Sequence, residues 1–394
     1  MNCHLIMVLV DDLFETLDGA FSEGGPDAAF TTLLARLQAE KRYSHLFEAR
    51  LMRKRHELGM PPTANAADVP PAQRAEWDAH VSVAAREAGD NYLAEGDISK
   101  AWPYFRALGD HAPVRQAIDR MAPADGKDEI IEVALYERVH PERGYAMVLA
   151  THGSCRAITC LDQYPDPDTR EAALDALTGA LHSELTENLA RVIEKNEGAP
   201  PVDRSMAGLL ANRDWLFGEY DYYIDTSHLL SALRFAVESE NPAVWRRALD
   251  FAEYGQKLGA MYQYPGEPPF EKPYSDHAIF LRGLLGIDPD ASIAHFRHIA
   301  DTADPERIGT YPAQVLVRYL LRLKRPQEAI EVFEKHLLES DPQYLTCPNL
   351  TQLCQLAGDH ERLRRVARGR GDVLSYVAGY LLKPGSRASA SSPD

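Results

Sequence analysis

The stretch AAREAGDNYLAEGDISKAWPYFRAL, residues 84–108, decides the fold of this chain. Small and apolar residues recur at helical spacing on both sides of Gly96 and Asp97, which predicts two helices joined by a tight turn. The Asp97 carboxylate can cap the second helix by accepting one of the N–H groups that a helix start leaves unpaired. Gly89 allows the two helices to approach closely, and Tyr92 is large enough to fill the space between them. Residues 84–108 therefore predict a helical hairpin.

The second helix of this hairpin carries a small residue and a large one, Ala101 and Phe105, four positions apart on one face. Together with Gly89, Tyr92 and Gly96, their spacing resembles the signature of the tetratricopeptide repeat. The resemblance implies a right-handed superhelix of antiparallel helix pairs with a concave surface. Members of that family usually bind peptides or protein segments, and the resemblance implies no enzymatic activity.

Helical periodicity also dominates the rest of the chain, and no convincing run of alternating β-branched residues is present. A second, partial match to the repeat lies in 313–338, where Leu316, Ala329 and Phe333 fit the pattern while Val317 replaces its glycine. We therefore predict an all-α fold, a solenoid of helical hairpins with an irregular central portion. The predicted regions are an N-terminal helical hairpin region (1–60), a tetratricopeptide-like hairpin (72–123), a central helical region (126–300), C-terminal tetratricopeptide-like hairpins (311–382) and a disordered tail (383–394).

Composition and charge narrow the range of partners. The chain has 394 residues and a formal net charge of −17, and an acidic surface repels phosphate backbones, so we expect no nucleic-acid partner. No run of 18 or more apolar residues is present, so we expect no membrane span. The chain starts without the basic segment and long apolar core of a secretory signal, and its five cysteines are few and odd in number. We therefore expect a cytoplasmic protein in which Cys347 and Cys354 are buried as small hydrophobic residues.

One basic run departs from this acidic character: Arg362, Arg364, Arg365, Arg368 and Arg370. Most of this run lies in residues 353–368, which look like one more degenerate hairpin around a Gly358-Asp359 turn. We predict that the arginines form a solvated helix face near a helix C-terminus, where cations suit the helix dipole.

Two similar motifs in the central region contain an aspartate and a histidine: YIDTSH, residues 223–228, and YSDH, residues 274–277. Each lies at the start of a predicted apolar helix, and the two are about fifty residues apart, near the length of one large helical-hairpin unit. If successive hairpins stack, the two helix starts lie at the same edge of the solenoid, so their polar side chains can converge.

Three interpretations of these motifs remain open. Asp225 and Asp276 can be simple N-caps, which requires no function. Histidines with a carboxylate also suit a divalent metal, Zn²⁺ or a non-haem Fe²⁺, and the candidate ligands are then His182, His228, Asp276 and His277. Adjacent helix N-termini can instead bind an anion through their free N–H groups.

A His-Gly pair, His152 and Gly153, interrupts another predicted helix. An imidazole at a helix break can face a cleft, so we consider His152 a candidate catalytic residue together with Asp225. The structural alternative is that the glycine ends the helix and that the histidine favours the negative end of its dipole.

Two segments are unusually rich in aromatic residues: DWLFGEYDYY, residues 214–223, and MYQYPGEPPFEKPY, residues 261–274. This density suits a binding surface or a pocket wall, and it equally suits irregular loops packed against helices. On the first interpretation the candidate ligand-binding residues are Trp215, Tyr223, Tyr264 and Tyr274.

Common catalytic motifs do not guide the choice of function. The sequence has no P-loop, no GxGxxG after a strand, no HExxH and no GxSxG. The leading prediction is a helical-repeat binding scaffold that holds a peptide, a protein segment or a small ligand on a concave or loop-lined surface. The alternative is a metal-dependent enzyme with a His/Asp site in the central helical region.

Overall fold

The structure, a computed structural model, describes the backbone of residues 3–382 and the side chains of residues 13–382. This part of the chain is all-helical and contains no β-strand, which confirms the predicted all-α class. The predicted disordered tail, 383–394, lies outside the described residues. None of the described helices is long and apolar enough to cross a lipid bilayer.

The chain divides into two compact units, Met1–Arg170 and Glu171–Asp394. The boundary falls inside the region 126–300 that the sequence predicts as one central region. The helices described in the first unit are α1 (Cys3–Ala39), α2 (Tyr43–Glu57), α3 (Arg74–Ala94), α4 (Ile98–Leu108), α5 (Ala112–Asp119), α6 (Asp128–Ile131) and α7 (Pro141–Asp162). Successive helices pack on each other, α1 on α2, α2 on α3 and α3 on α4.

The second unit begins at α8 and also packs mostly between neighbours in sequence. Its helices are α8 (Arg170–Glu197), α9 (Met206–Leu210), α10 (Thr226–Glu238), α11 (Pro242–Lys257), α12 (Pro273–Leu284), α13 (Pro289–Thr302), α14 (Pro305–Ile308), α15 (Tyr311–Arg322), α16 (Pro326–His336), α17 (Leu350–Ala357), α18 (His360–Arg370) and α19 (Val373–Leu381). Whether these neighbouring pairs form a tetratricopeptide superhelix stays a prediction.

The hairpin predicted from residues 84–108 is α3 and α4. Gly89 faces the buried ring of Phe105, and a Cβ on Gly89 would lie 2.7 Å from Cε2 of that ring. The Tyr92 ring packs edge-on against Tyr43 of α2, with 5.1 Å between centroids, and stacks on Tyr104 of α4. At the turn, the Asp97 carboxylate accepts a hydrogen bond from the backbone N–H of the third residue of α4. The local roles predicted for these residues from their spacing are thus confirmed. This holds whether or not the hairpin belongs to the tetratricopeptide family.

Two glycines with positive φ interrupt long helices in the first unit. Gly153 has φ 77° inside α7, which confirms the helix break predicted there. Gly25 has φ 68° inside α1 and precedes Pro26, so α1 consists of two segments that meet at this kink. The buried residues of α1 that join a hydrophobic cluster, Leu34 and Leu37, lie in the second segment.

A large hydrophobic cluster in the second unit joins α12, α13, α15, α16, α17 and α18. The rings of Phe280 and Tyr319 stack at its centre, with 4.3 Å between centroids. Cys347 and Cys354 are buried in the cluster as predicted, and burial raises the pKa of each thiol to about 11. The thiols therefore remain protonated at neutral pH and behave as small apolar groups.

Enlarging Gly89 should destabilise the first unit. Gly89→Ala places a methyl group against the fully buried Phe105 ring, and overpacking of this kind typically costs about 1–3 kcal/mol of unfolding free energy. Gly19→Ala, in α1, is the matched control because nothing lies within 4 Å of the added carbon, and it should stabilise by up to about 1 kcal/mol. Urea denaturation of both variants measures the difference. Equal stability of the two variants would contradict the close approach of α3 and α4.

Candidate functional site

A cleft of about 350 Å³ in the second unit combines apolar walls with polar groups. It lies between α10, α12 and α15 and is covered by the loop 258–272; we call it the α10–α12–α15 cleft. A second cavity of about 450 Å³ adjoins it and shares Val237, Glu238 and Arg318 of its lining. Both volumes are in the range of small-molecule sites.

His277, on α12, forms one wall of this cleft. Its side chain is buried, with 6% of the residue exposed, and its ring stacks on Phe270 with 4.1 Å between centroids. Nδ1 lies 2.6 Å from the carbonyl oxygen of Pro273. Because a carbonyl can only accept, Nδ1 carries the proton and Nε2 is left as an acceptor. No described residue bonds Nε2, so it is available to a ligand in the cleft.

The charge of His277 follows from its burial. Desolvation lowers the pKa of the imidazole to about 4, although the Pro273 carbonyl and Asp276 both favour the proton. The ring is therefore neutral at physiological pH. A neutral imidazole with a free Nε2 accepts a hydrogen bond from a ligand O–H or N–H group.

Arg318, on α15, lies where the cleft meets the adjoining cavity. Its side chain is half-buried, and within residues 13–382 its guanidinium forms no ion pair or hydrogen bond. Arg322, one turn later, differs: its guanidinium donates to the carbonyl oxygens of Val237 and Ser239 at the end of α10. The structure thus uses Arg322 to hold α15 against α10 and leaves Arg318 free to meet a ligand.

Arg234, Glu238 and Glu267 also line the cleft, and its remaining walls are apolar or aromatic. Leu230 and Val237 come from α10, and Phe270 comes from the covering loop. The Phe270 ring also packs against Phe280 and Phe296, which fixes this end of the loop to the hydrophobic cluster. At the rim, Tyr264 and Tyr311 are nearly half exposed, so a ligand in the cleft would cover them.

The two aspartates of the repeated motifs have local structural roles. Asp225 is the N-cap of α10, where its carboxylate accepts from the backbone N–H and the hydroxyl of Ser227, and these bonds lower the pKa of the carboxyl group. The interpretation of Asp276 as an N-cap is wrong, because α12 begins earlier, with Pro273 in its first turn. Asp276 is buried and accepts from the backbone N–H of Lys272 at 2.7 Å and from Nε2 of His295 at 3.0 Å.

The predicted metal ligands do not gather into one cluster in the described part of the chain. His182 pairs with Asp250 at 2.8 Å, His277 is bonded to a backbone carbonyl, and His228 is half-buried near the Asp225 cap. Across the residues that the structure describes, no group of three or more His, Cys, Asp and Glu residues could hold a metal ion. The geometry therefore gives the Zn²⁺ or Fe²⁺ hypothesis no support.

The predicted catalytic pair is divided between the two compact units. His152 is exposed in the first unit, with Nε2 3.1 Å from a carboxylate oxygen of Asp128. Asp225, in the second unit, is occupied by the cap of α10. The structure therefore shows each residue engaged locally.

Of the four predicted ligand-binding aromatic residues, Tyr264 borders the cleft. Tyr274 is buried against Gly255 of α11, and Tyr223 donates from its hydroxyl to the Leu216 carbonyl oxygen at 2.9 Å. Trp215 is partly exposed on the loop before α10. Packing of irregular loops, the alternative interpretation, thus describes Tyr223 and Tyr274.

Arg318 is the residue of the cleft that sequence reasoning missed. The signal was present, because Arg318 interrupts the apolar stretch AQVLVRYLL, residues 313–321, in which every other residue except Leu321 is buried. A cation in such a stretch needs either an internal partner or a function.

A wider groove of about 940 Å³ lies in the first unit between α1, α2 and α3. Its polar side chains are largely paired with each other: Arg50 with Glu87, and Gln38 with Asn91 at 3.1 Å. Because a ligand would have to replace these contacts, the smaller cleft with its unpaired groups is the better candidate site.

Comparison of the chain with family models, with curated proteins and with solved structures finds no match. The candidate site therefore rests on the geometry of the cleft.

Loss of stability at acidic pH should depend on His277. Its pKa is about 4 in the folded state and near 6.5 when unfolded, so between these values the unfolded state binds a proton that the folded state does not. The unfolding free energy should therefore fall as the pH decreases from about 6.5 to about 4, by up to roughly 3 kcal/mol from this residue.

Urea denaturation across this pH range tests the expectation. His277→Phe keeps an aromatic ring against Phe270 and should flatten the fall in unfolding free energy, whereas His298→Phe, at an exposed position on α13, should keep the wild-type slope. An unchanged slope in His277→Phe would show that the buried imidazole is not the group that titrates.

Proposed function

We propose that this chain is a binding protein whose α10–α12–α15 cleft holds a ligand with an anionic group and an apolar body. The observation that carries the proposal is the half-buried, unpaired guanidinium of Arg318 at the inner end of the cleft. Partial burial makes a free cation costly, and a carboxylate or phosphate would offset that cost through charge-assisted hydrogen bonds.

Other features of the cleft narrow the ligand class. The apolar walls formed by Leu230, Val237 and Phe270 favour an aliphatic or aromatic body, and Tyr264 can cover it from the rim. Nε2 of His277 adds one acceptor, which favours a ligand with a hydroxyl or amide donor. A small carboxylate and a peptide segment with an acidic group share this chemistry.

Binding is favoured over proton-transfer catalysis by the protonation state of His277. With a pKa of about 4 the imidazole is a weak base at neutral pH, and efficient acid–base catalysis needs a pKa near the working pH. The free Nε2 is better suited to orienting a ligand than to removing a proton from it.

The tetratricopeptide-like hairpin of α3 and α4 supports a scaffold role for the whole chain. Its packing contacts at Gly89, Tyr92 and Phe105 match the family signature, and we propose that further neighbouring pairs continue a helical-repeat solenoid. The free thiols of Cys160, Cys347 and Cys354 support a reducing compartment such as the cytoplasm.

Paired ligands that differ in charge test the proposal. We choose 4-phenylbutyrate and its uncharged amide as probes, because both offer an aromatic body and only the acid carries the anion. Titration followed by calorimetry or ligand-observed NMR should show that the acid binds about tenfold or more tightly than the amide, the effect of a charge-assisted hydrogen bond.

Two arginine variants make the test specific to the cleft. Arg318→Ala should abolish the preference for the acid, whereas Arg246→Ala, at an exposed position of α11 outside the cleft, should retain it. Equal affinity of the two probes for the wild type, failure of both to bind, or a preference that survives Arg318→Ala would contradict the proposal.

A further inference from the structure

In the first segment of α1, residues 3–24, the described side chains (13–24) include an exposed apolar face. Phe14 and Phe21 are 60% and 58% exposed, and with the half-buried Leu17 they follow the i, i+3, i+7 spacing of one helix face. Exposed phenylalanines at this spacing are unusual for a helix that faces only water. The kink at Gly25 separates this segment from Leu34 and Leu37, which join a hydrophobic cluster.

The charge of the same segment is entirely acidic. The described charged side chains of this segment are Glu15, Asp18 and Glu23, and the sequence has no lysine or arginine before Arg36. The described part of the segment is therefore an acidic amphipathic helix with an exposed apolar face.

Helix α19 has the matching apolar face in the second unit. Val373 and Leu374 are 71% and 81% exposed, and Val377, which is also exposed, follows them at helical spacing. The opposite side of α19 is occupied, because Gly379 packs so closely on α18 that a Cβ there would lie 2.6 Å from Cγ of Arg364. The side chains of Val373, Leu374 and Val377 thus point away from α18 and remain exposed.

Positive charge borders the apolar face of α19. The guanidinium of Arg364 lies 4.6 Å from the ring centroid of Tyr380, and that of Arg368 lies 5.9 Å from the ring of Tyr376. Arg365 and Arg368 are exposed and form no ion pair with another described residue. The surface is apolar at its centre and basic at its edge.

We propose that the first segment of α1 of one copy packs against α19 of a second copy. Burial of Phe14 and Phe21 against Leu374 and Val377 provides the hydrophobic contribution, and acidic side chains meet the arginines of α18 at the rim. This inference is independent of the proposed function, because neither surface includes residues of the cleft.

Opposite charge selects this arrangement over pairing of like surfaces. Two copies of α19 would bring the arginines of both α18 helices together, and two copies of the α1 segment would bring two acidic faces together. Like charges at an interface oppose association, so each surface favours the other. Because the contact joins two different surfaces, copies associate either as a reciprocal dimer, in which each α1 segment packs on the other copy's α19, or head to tail into a larger ring or an open chain.

Sedimentation velocity of the full chain tests this association. Over rising protein concentration at low salt, the wild type should form species larger than the 43.9 kDa monomer, and high salt should weaken them because the rim contacts are electrostatic. Phe14→Glu removes the α1 surface and Leu374→Glu removes the α19 surface, so each variant alone should be monomeric. Ile287→Glu, which replaces a half-exposed apolar residue that belongs to neither surface, should assemble like the wild type.

Mixing the two variants distinguishes head-to-tail pairing from every like-with-like arrangement. The Phe14→Glu copy keeps an intact α19 and the Leu374→Glu copy keeps an intact α1 segment, so an equimolar mixture should form dimers of about twice the monomer mass and nothing larger. Circular dichroism of each variant confirms that the helices are retained. A monomeric wild type, self-association of either variant alone, or a mixture that stays monomeric would overturn the proposal.

Discussion

The candidate site depends on the hydrogen bonds made by one buried guanidinium, that of Arg322. It donates to the carbonyl oxygens of Val237 and Ser239, which lie where α10 ends and leaves carbonyl groups without helical partners. The guanidinium also lies 5.1 Å from the ring centroid of Trp245. Burial lowers its pKa, yet an arginine remains charged at neutral pH, so the charge must be satisfied inside the protein. This cation joins α10 to α15, and among the described residues the other arginine of α15, Arg318, is left without an ion pair or hydrogen bond.

The two candidate sites differ more clearly in whether their polar groups are already paired within the protein than in their volumes. The groove of the first unit is larger, but two of its charged side chains, those of Arg50 and Glu87, already neutralise each other. The cleft is smaller and contains a cation and an acceptor, Arg318 and Nε2 of His277, that no described residue satisfies. An internal ion pair must be broken before it contributes to binding, whereas an unpaired buried group is stabilised directly by a ligand. The free energy available for recognition is therefore greater in the cleft.

The sequence predicted those features that arise from neighbours along the chain. The α3–α4 hairpin was predictable because Gly89, Asp97 and Phe105 act within about twenty residues of each other through helix spacing and a turn. The cleft was not, because Arg318 and His277 line the same cavity only through the packing of α10, α12 and α15. The Asp-His motifs were misleading for a related reason: the carboxylate of Asp276 is used by its own helix start and by His295 of α13, a partner that no local pattern indicates.

The chain is acidic overall, but two of its surfaces differ in charge: the first segment of α1 is acidic and α18 carries a basic run. The basic run of α18 was predicted as a solvated face, and the structure divides it: Arg362 pairs with Glu334, whereas Arg365 and Arg368 stay exposed, with Arg368 near the Tyr376 ring of α19. A solvated face needs no apolar neighbour, and an apolar surface without charge would associate without selectivity. The combination of the two restricts which surfaces can cover α19, since a partner must bury leucine and valine and also supply carboxylates. The acidic, phenylalanine-bearing segment of α1 meets both requirements, so the net charge of −17 conceals a complementary pair of surfaces.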